Sequence, residues 1–92
     1  MLFEWDNDKA GKNISKHGIS FEEASGVFDD PLFLKFADPD HSSAEEKRCL
    51  IIGESEQRHL LLVSYTKRGG SVRIISARKA TRRERRVYEE ET

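Results

Sequence analysis

The segment LLLVSYTKRGGSVRIISA, residues 60–77, determines the fold class of this 92-residue chain. Two apolar runs, 60–66 and 71–77, flank the pair Gly69-Gly70. Glycine tolerates the positive φ angles of a tight turn, so the pattern is typical of a β-hairpin. Both runs are apolar almost throughout, without clean alternation. This predicts that both faces of the sheet are at least partly covered.

Further strands are predicted N-terminal to this hairpin. Residues 48–53 form a third apolar run, which the polar loop Gly53–Gln57 joins to the strand beginning at Leu60. Leu32–Phe36 is predicted as a fourth strand, and the polar segment 38–43 follows it as a loop. Near the N-terminus, Phe3–Trp5 is either a very short strand or an apolar anchor.

Two helices are predicted before the sheet. The first is Lys9–His17, which follows the capping side chains of residues 6–8, and Gly18 is placed to end it in a left-handed conformation. The second begins at a capping box, in which the Ser20 hydroxyl accepts from the amide of Glu23. In such a box the Glu23 carboxylate returns to the amide of Ser20.

A third helix is predicted at the C-terminus. Thr81–Glu84 is a second capping box, and the helix is expected to run to about Glu90. The order of elements predicts an α+β fold over residues 1–92, a single domain. It has a small antiparallel sheet of about four strands, two N-terminal helices and a C-terminal helix.

Composition excludes several classes of protein. The lone Cys49 cannot form an internal disulfide, which suits a reducing cytosol. No apolar run approaches the roughly 20 residues that span a bilayer, and residues 1–6 do not resemble a signal peptide. A soluble cytoplasmic protein without membrane association is therefore expected. One cysteine and three scattered histidines have no zinc-ligand spacing, and no phosphate-binding glycine loop occurs, so neither a metal nor a cofactor is expected.

The net charge of −1 conceals a division along the chain. Residues 1–46 carry four lysines against eleven acidic residues, whereas residues 47–92 carry twelve basic residues against six glutamates. Within residues 58–86 there are ten basic residues and the single acid Glu84. Such asymmetry indicates an anionic partner for the second half. Alternatively, the two halves neutralise each other within one small fold.

The cations of the second half concentrate on the 60–77 hairpin and its ends. Arginine binds phosphate oxygens in a bidentate fashion and tyrosine can stack on a base, so RNA is a suitable ligand. The alternative is that some of these arginines are structural and pair with the acids of the N-terminal helices. The residues concerned are Tyr65, Lys67, Arg68, Arg73 and Arg78.

Cleavage of RNA also requires groups that move protons. The 2′-hydroxyl must lose a proton, the leaving 5′-oxygen must gain one, and the pentacovalent phosphate needs positive charge nearby. His17 is predicted at a helix C-terminus and His59 at a solvent-facing strand start, so both are interpreted as structural or neutral. His41 lies in a loop, where residues more often carry chemistry, and is the candidate among the three. Carboxylate pairs such as Glu45-Glu46 are interpreted as surface charges.

Three ordered motifs resemble the BrnT toxins, and together they span nearly the whole chain. The first comprises Phe3–Asp6, Lys9-Ala10, Asn13 and Lys16–Ala24; the second comprises Asp38–Ser42, Glu45-Glu46, Arg48 and Ile52-Gly53; the third comprises Tyr65–Gly69 and Arg73–Ala80.

This resemblance implies a RelE-like fold and a ribonuclease toxin of a type II toxin–antitoxin system that cleaves RNA and inhibits translation. It also implies a cognate BrnA-type antitoxin with a ribbon-helix-helix DNA-binding part. The expected complex is a 2:2 heterotetramer that reaches operator DNA only through the antitoxin. The alternative is a non-catalytic module that binds nucleic acid or protein within a small regulatory complex.

The resemblance places the active site on the sheet around Tyr65, Arg68, Arg73 and Arg78, with Arg48 on an adjacent strand. Combined with the candidates above, it predicts a metal-independent endoribonuclease. The general base stays unassigned, because related toxins do not share one set of residues. The predicted catalytic residues are Tyr65, Arg68, Arg73 and His41, and the predicted RNA-binding residues are Arg48, Lys67, Arg78 and Arg82.

Overall fold

The computed structural model describes residues 1–92 and has the α+β architecture expected from the sequence, with three helices and five strands. Two 3₁₀ turns, Val27–Asp29 and Pro39–His41, lie in the connections. In chain order the elements are β1 Leu2–Glu4, α1 Asn7–His17, α2 Phe21–Gly26, β2 Leu34–Ala37, β3 Arg48–Glu54, β4 Leu60–Arg68, β5 Ser71–Lys79 and α3 Arg82–Glu91.

The sheet has the strand order β1-β5-β4-β3-β2. Strands β2 to β5 form the antiparallel meander predicted from the sequence, and β1 adds a fifth strand parallel to β5. Only three residues of β1 pair, Leu2 to Glu4, opposite residues 71–73. So short a strand has no pattern of its own, and its partner lies about seventy positions away along the chain.

Helices α1 and α2 cover one face of the sheet and form the core with it. Phe21 of α2 and Ile51, Leu61, Val63 and Ile74 of the strands are at most 1% exposed. The buried side chain of Asn13 joins α1 to β5. Its amide nitrogen donates to the carbonyls of Ile19 and Ala77, and its oxygen accepts from the N–H of Ala77.

Helix α3 lies on the opposite face and covers only part of it. Glu84 binds both terminal nitrogens of Arg78 at 2.8 and 2.9 Å, and the Tyr88 hydroxyl donates to Asp30 at 2.6 Å. On this face Ile52 and Leu60 are buried, so the expectation that both faces are partly covered is confirmed.

The predicted caps form, with one correction. Asp6 accepts from the amides of Asp8 and Lys9, Gly18 ends α1 at φ 72°, and both halves of the Thr81–Glu84 box are present. At α2 only the serine half forms. The return bond of the Glu23 carboxylate to the amide of Ser20 was wrongly predicted.

The Glu23 carboxylate instead holds the β3–β4 loop. It accepts from the Ser55 hydroxyl at 2.6 Å and lies 2.7 Å from Nδ1 of His59. The prediction that His59 faces solvent is therefore corrected, because its ring is only 40% exposed and binds α2. None of the three helices combines the length and the apolar character that a membrane crossing requires.

Candidate active site

A row of polar side chains crosses four strands of the sheet, β3, β4, β5 and β1. Arg48 on β3 lies opposite Thr66 on β4, Thr66 lies opposite Arg73 on β5, and Arg73 pairs with Glu4 on β1. Beside β3 the row continues to Asp38, the residue directly after β2, whose N–H donates to the carbonyl of Arg48 at 3.0 Å. Directly paired residues point to the same face of a sheet. The row therefore lies on the face opposite the core.

Asp38 and His41 form a hydrogen-bonded pair at the β2 end of this row. The 3₁₀ turn between them brings Nδ1 of His41 to 3.0 and 3.1 Å from the two carboxylate oxygens of Asp38. The Asp38 side chain is 15% exposed, whereas that of His41 is 66% exposed. A carboxylate on Nδ1 favours the tautomer that leaves Nε2 as an acceptor. The accessible nitrogen of His41 can therefore exchange a proton with a ligand.

Ser42 connects this pair to the arginine of the row. Its hydroxyl donates to the carbonyl of Asp38 at 2.7 Å and accepts from the N–H of Arg48 at 2.9 Å. One half-buried side chain thus sets the position of the His41 turn relative to the start of β3.

Glu46 organises the cations next to the row. Its carboxylate accepts from Nε of Arg48 at 3.0 Å and lies 3.8 Å from a terminal nitrogen of Arg68. The hydrogen bond from Arg48 lowers the pKa of Glu46, and the charges of Arg48, Arg68 and Lys9 add to it, outweighing the effect of desolvation. Glu46 is therefore ionised at neutral pH and a weak base.

Of these groups, His41, Glu46, Arg48, Thr66 and Arg68 line one open cleft of about 450 Å³. No apolar residue lines it, and its basic side chains outnumber its carboxylates three to two. Such a surface suits the sugar and phosphate of a nucleic acid more than a base. The cleft brings together four residues predicted from the sequence, His41, Arg48, Lys67 and Arg68, with Ser43, Glu45, Glu46 and Thr66.

Comparison with known proteins identifies the family. The model of the family described as the ribonuclease toxin BrnT of type II toxin–antitoxin systems matches residues 5–84. The chain belongs to this family. Its structure is similar to the crystal structure of the Brucella abortus ribonuclease toxin BrnT, with a TM-score of 0.63 and 24% sequence identity. That match covers 89% of this chain and 100% of the Brucella chain, and it establishes the BrnT fold. No curated protein matches the chain.

Arg73, predicted as catalytic for this BrnT chain, lies in the row but does not line the cleft. Its side chain is 27% exposed, and its guanidinium is 3.8 Å from the carboxylate of Glu4. It flanks the cleft through its neighbour Thr66 on β4.

Tyr65 lies in the core of the molecule. It is 3% exposed, and its ring packs edge-to-face on Phe28 at 5.0 Å between centroids. Burial raises the pKa of Tyr65 to about 12, and the neighbouring Cys49 contributes. The ring presents no face on which a base could stack, which removes the physical basis of its predicted role.

The two remaining predicted residues lie at the α3 end of β5. Arg78 binds Glu84 through two hydrogen bonds, which raise its pKa, and so attaches α3 to the sheet. Arg82 is exposed in the first turn of α3. The alternative that some arginines are structural thus applies to Arg78, although its partner is the C-terminal helix and not an N-terminal one.

The sequence analysis did not select Asp38 or Ser42, and it interpreted Glu46 as a surface charge. A signal for Asp38 was present, since an acid three residues before a histidine in a proline-containing turn can reach the ring. Ser42 and Glu46 carried no such signal, because their roles depend on where β3 lies.

Proposed function

We propose that this BrnT-family protein is an endoribonuclease that cuts RNA in the cleft between His41 and Arg68 and thereby inhibits translation. The observation that carries the proposal is the meeting of the oriented Asp38–His41 pair with Arg48 and Arg68. The pair supplies a group that accepts the 2′-hydroxyl proton and the arginines supply positive charge for the phosphate, which are two of the three requirements of RNA cleavage.

The proposed reaction uses the ribose as its own nucleophile. Nε2 of His41 accepts the proton of the 2′-hydroxyl, and the 2′-oxygen forms a bond to phosphorus. The bond from phosphorus to O5′ breaks, and solvent protonates the departing oxygen. Arg48 and Arg68 stabilise the additional negative charge of the pentacovalent intermediate. The products are a 2′,3′-cyclic phosphate and a 5′-hydroxyl. Because the arginines supply the positive charge, we propose that no metal ion is required.

The proposed partner is a BrnA-type antitoxin with a ribbon-helix-helix part. Membership of a type II toxin–antitoxin family supports a protein antitoxin. We propose a 2:2 complex in which the antitoxin supplies the dimer interface and reaches operator DNA, while residues 1–92 act as one toxin domain.

The test is cleavage of end-labelled RNA by the purified protein in the presence of EDTA. Wild type should release fragments with cyclic phosphate ends. His41→Ala should lose at least about a hundredfold in rate, as expected for a general base. Asp38→Asn should lose less, because the amide oxygen can still accept a hydrogen bond from Nδ1 of His41. Arg48→Ala should also lower the cleavage rate. Its matched control is Arg58→Ala, which should cleave at the wild-type rate, because Arg58 is 84% exposed in the β3–β4 loop.

Two results would contradict the proposed ribonuclease function. RNA that is bound but not cut by wild-type protein would establish the alternative, a non-catalytic binding module. Cleavage that survives in both His41→Ala and Arg48→Ala would move the active site elsewhere. In cells, induction of this protein should arrest growth, and co-expression of its proposed BrnA-type antitoxin should restore growth.

A further inference from the structure

An exposed aromatic ring lies on the same sheet face as the polar row. Phe36 of β2 is 40% exposed, although it sits in the middle of a strand. It lies opposite Leu50 on β3, whereas Ala37 lies opposite Cys49 next to the core. Since side chains alternate along a strand, Phe36 points to the face of Asp38 and Arg48.

The register also fixes how close the ring is to the catalytic groups. Phe36 on β2 precedes Asp38 by two residues, and Leu50 follows Arg48 by two residues on β3. Phe36 and Arg48 are therefore diagonal neighbours across the ladder, a relation that places Cβ atoms roughly 7–8 Å apart or less. This is within reach of one nucleotide whose phosphate binds Arg48.

Helix α3 leaves this part of the face open. Ile52 and Leu60, at the α3 end of the face, are 3% and 5% exposed. Towards the polar row, Leu50 and Ser64 are only half-buried and Ser76 is exposed. A strand of RNA leaving the cleft can therefore lie across the sheet without displacing α3.

The cleft itself offers a base no aromatic or other hydrophobic side chain, because all of its lining residues are polar. Tyr65, the aromatic residue that the sequence suggested for stacking, is enclosed in the core. Aromatic side chains on an open sheet face commonly stack the bases of single-stranded RNA. We propose that Phe36 stacks on the nucleobase of a nucleotide next to the scissile phosphate. This inference rests on the proposed ribonuclease function and adds a base-binding position to it.

The test uses a DNA oligonucleotide that contains one ribonucleotide, which fixes the position of cleavage. Matched substrates carry an abasic nucleotide immediately before or after the ribonucleotide. For wild type, we expect kcat/KM to fall by about tenfold with one of the two abasic substrates, the order of magnitude of a lost aromatic–base stack. Phe36→Ala should cleave intact and abasic substrates at the same low rate, and Phe36→Trp should restore the difference.

Phe33→Ala is the matched control, because Phe33 is also exposed (42%) but its Cβ lies 3.3 Å from the position of a Cβ on Gly53, next to the core. It should retain the wild-type difference between intact and abasic substrates. Thermal unfolding of each variant checks the fold.

Wild-type cleavage of the intact substrate tests the ribonuclease function before the base contact is tested. If wild type cuts that substrate but Phe36→Ala keeps the wild-type ratio of intact to abasic rates, the stacking proposal is overturned. The same holds if Phe36→Ala changes only the affinity for the antitoxin, since the ring would then contact protein.

Discussion

At the scale of single residues, position along a strand decides whether a side chain reaches the cleft or the core. Tyr65 and Thr66 are neighbours on β4, yet Thr66 lines the cleft and Tyr65 packs on Phe28. Successive side chains of a strand point to opposite faces, so one residue of register separates the two environments. The irregular register between Ser64 and Tyr65 could not be predicted from the amino acids of the hairpin.

We predict that Tyr65→Phe cleaves RNA at the wild-type rate. The substitution removes a buried hydroxyl next to Cys49 and should change the free energy of unfolding by no more than about 1 kcal/mol. Urea unfolding and the cleavage assay measure the two effects separately. A folded Tyr65→Phe protein without activity would show that the phenol takes part in catalysis after all.

At the scale of elements, Gly53 sets how closely β3 approaches the turn after α2. A Cβ at this position would lie 2.8 Å from Cγ1 of Val27 and 3.3 Å from Cβ of Phe33. Both atoms are close to the backbone and cannot swing away. The approach depends on a missing side chain and not on a glycine φ angle.

We therefore predict opposite effects for two Gly→Ala substitutions. Gly53→Ala should lower the free energy of unfolding by about 1–3 kcal/mol through overpacking. Gly11→Ala should raise it by up to about 1 kcal/mol, since Gly11 is inside α1 and a Cβ added there would meet no atom within 4 Å. Urea unfolding of both variants tests the pair, and a Gly53→Ala protein as stable as wild type would contradict it.

Helix α3 has no buried residue and is held by two carboxylates. For Asp30, burial opposes ionisation, but hydrogen bonds from Tyr88 and the backbone of Glu54 and Leu32 lower its pKa. For Glu84, the hydrogen bond from Arg78 lowers the pKa and outweighs burial. The molecule with α3 docked therefore binds fewer protons than the molecule with α3 released.

The docking of α3 should accordingly depend on pH. Because both pKa values are lowered, the stabilisation is present above the ordinary carboxyl range of about 4 and is lost as the pH falls through the lowered values. The amide-exchange protection factors of α3, which correct for the intrinsic exchange rate at each pH, should therefore fall between pH 5 and about pH 3. Glu84→Gln should weaken the docking of α3 by about 1 kcal/mol at neutral pH, the order of magnitude for a partly exposed ion pair. Glu90→Gln should leave the docking unchanged. Equal protection in Glu84→Gln and wild type would contradict this account.

At the scale of the whole molecule, the acidic and basic halves of the chain interleave at the site. Glu4 pairs with Arg73, and Glu46 pairs with Arg48 and approaches Arg68. The fold thus neutralises part of the charge that the sequence separates. It leaves a cluster of cations around one cleft instead of a uniformly basic surface.

This arrangement predicts a modest salt dependence of RNA binding. Single-stranded RNA loses affinity with a log–log slope of about −0.7 per phosphate contact. With Arg48, Lys67, Arg68 and Arg73 each at a phosphate, the slope should be about −3. Arg73→Ala should make the slope shallower by about 0.7, and Arg58→Ala should leave the slope unchanged. Titrations at several salt concentrations measure it, and a slope near zero would exclude phosphate binding as the main contact.

The sequence by itself determined the helices, the antiparallel meander and the family, because caps, glycine turns and apolar runs are local signals. It also selected four residues that meet in the cleft: Lys67 and Arg68 through charge density, His41 through its loop position, and Arg48 through the family resemblance. The tertiary structure alone placed β1 beside β5, enclosed Tyr65 and brought Asp38, Glu46 and Phe36 next to Arg48. The physical reason is that strand pairing and register join residues distant in sequence, and a shift of one residue exchanges the two faces of the sheet.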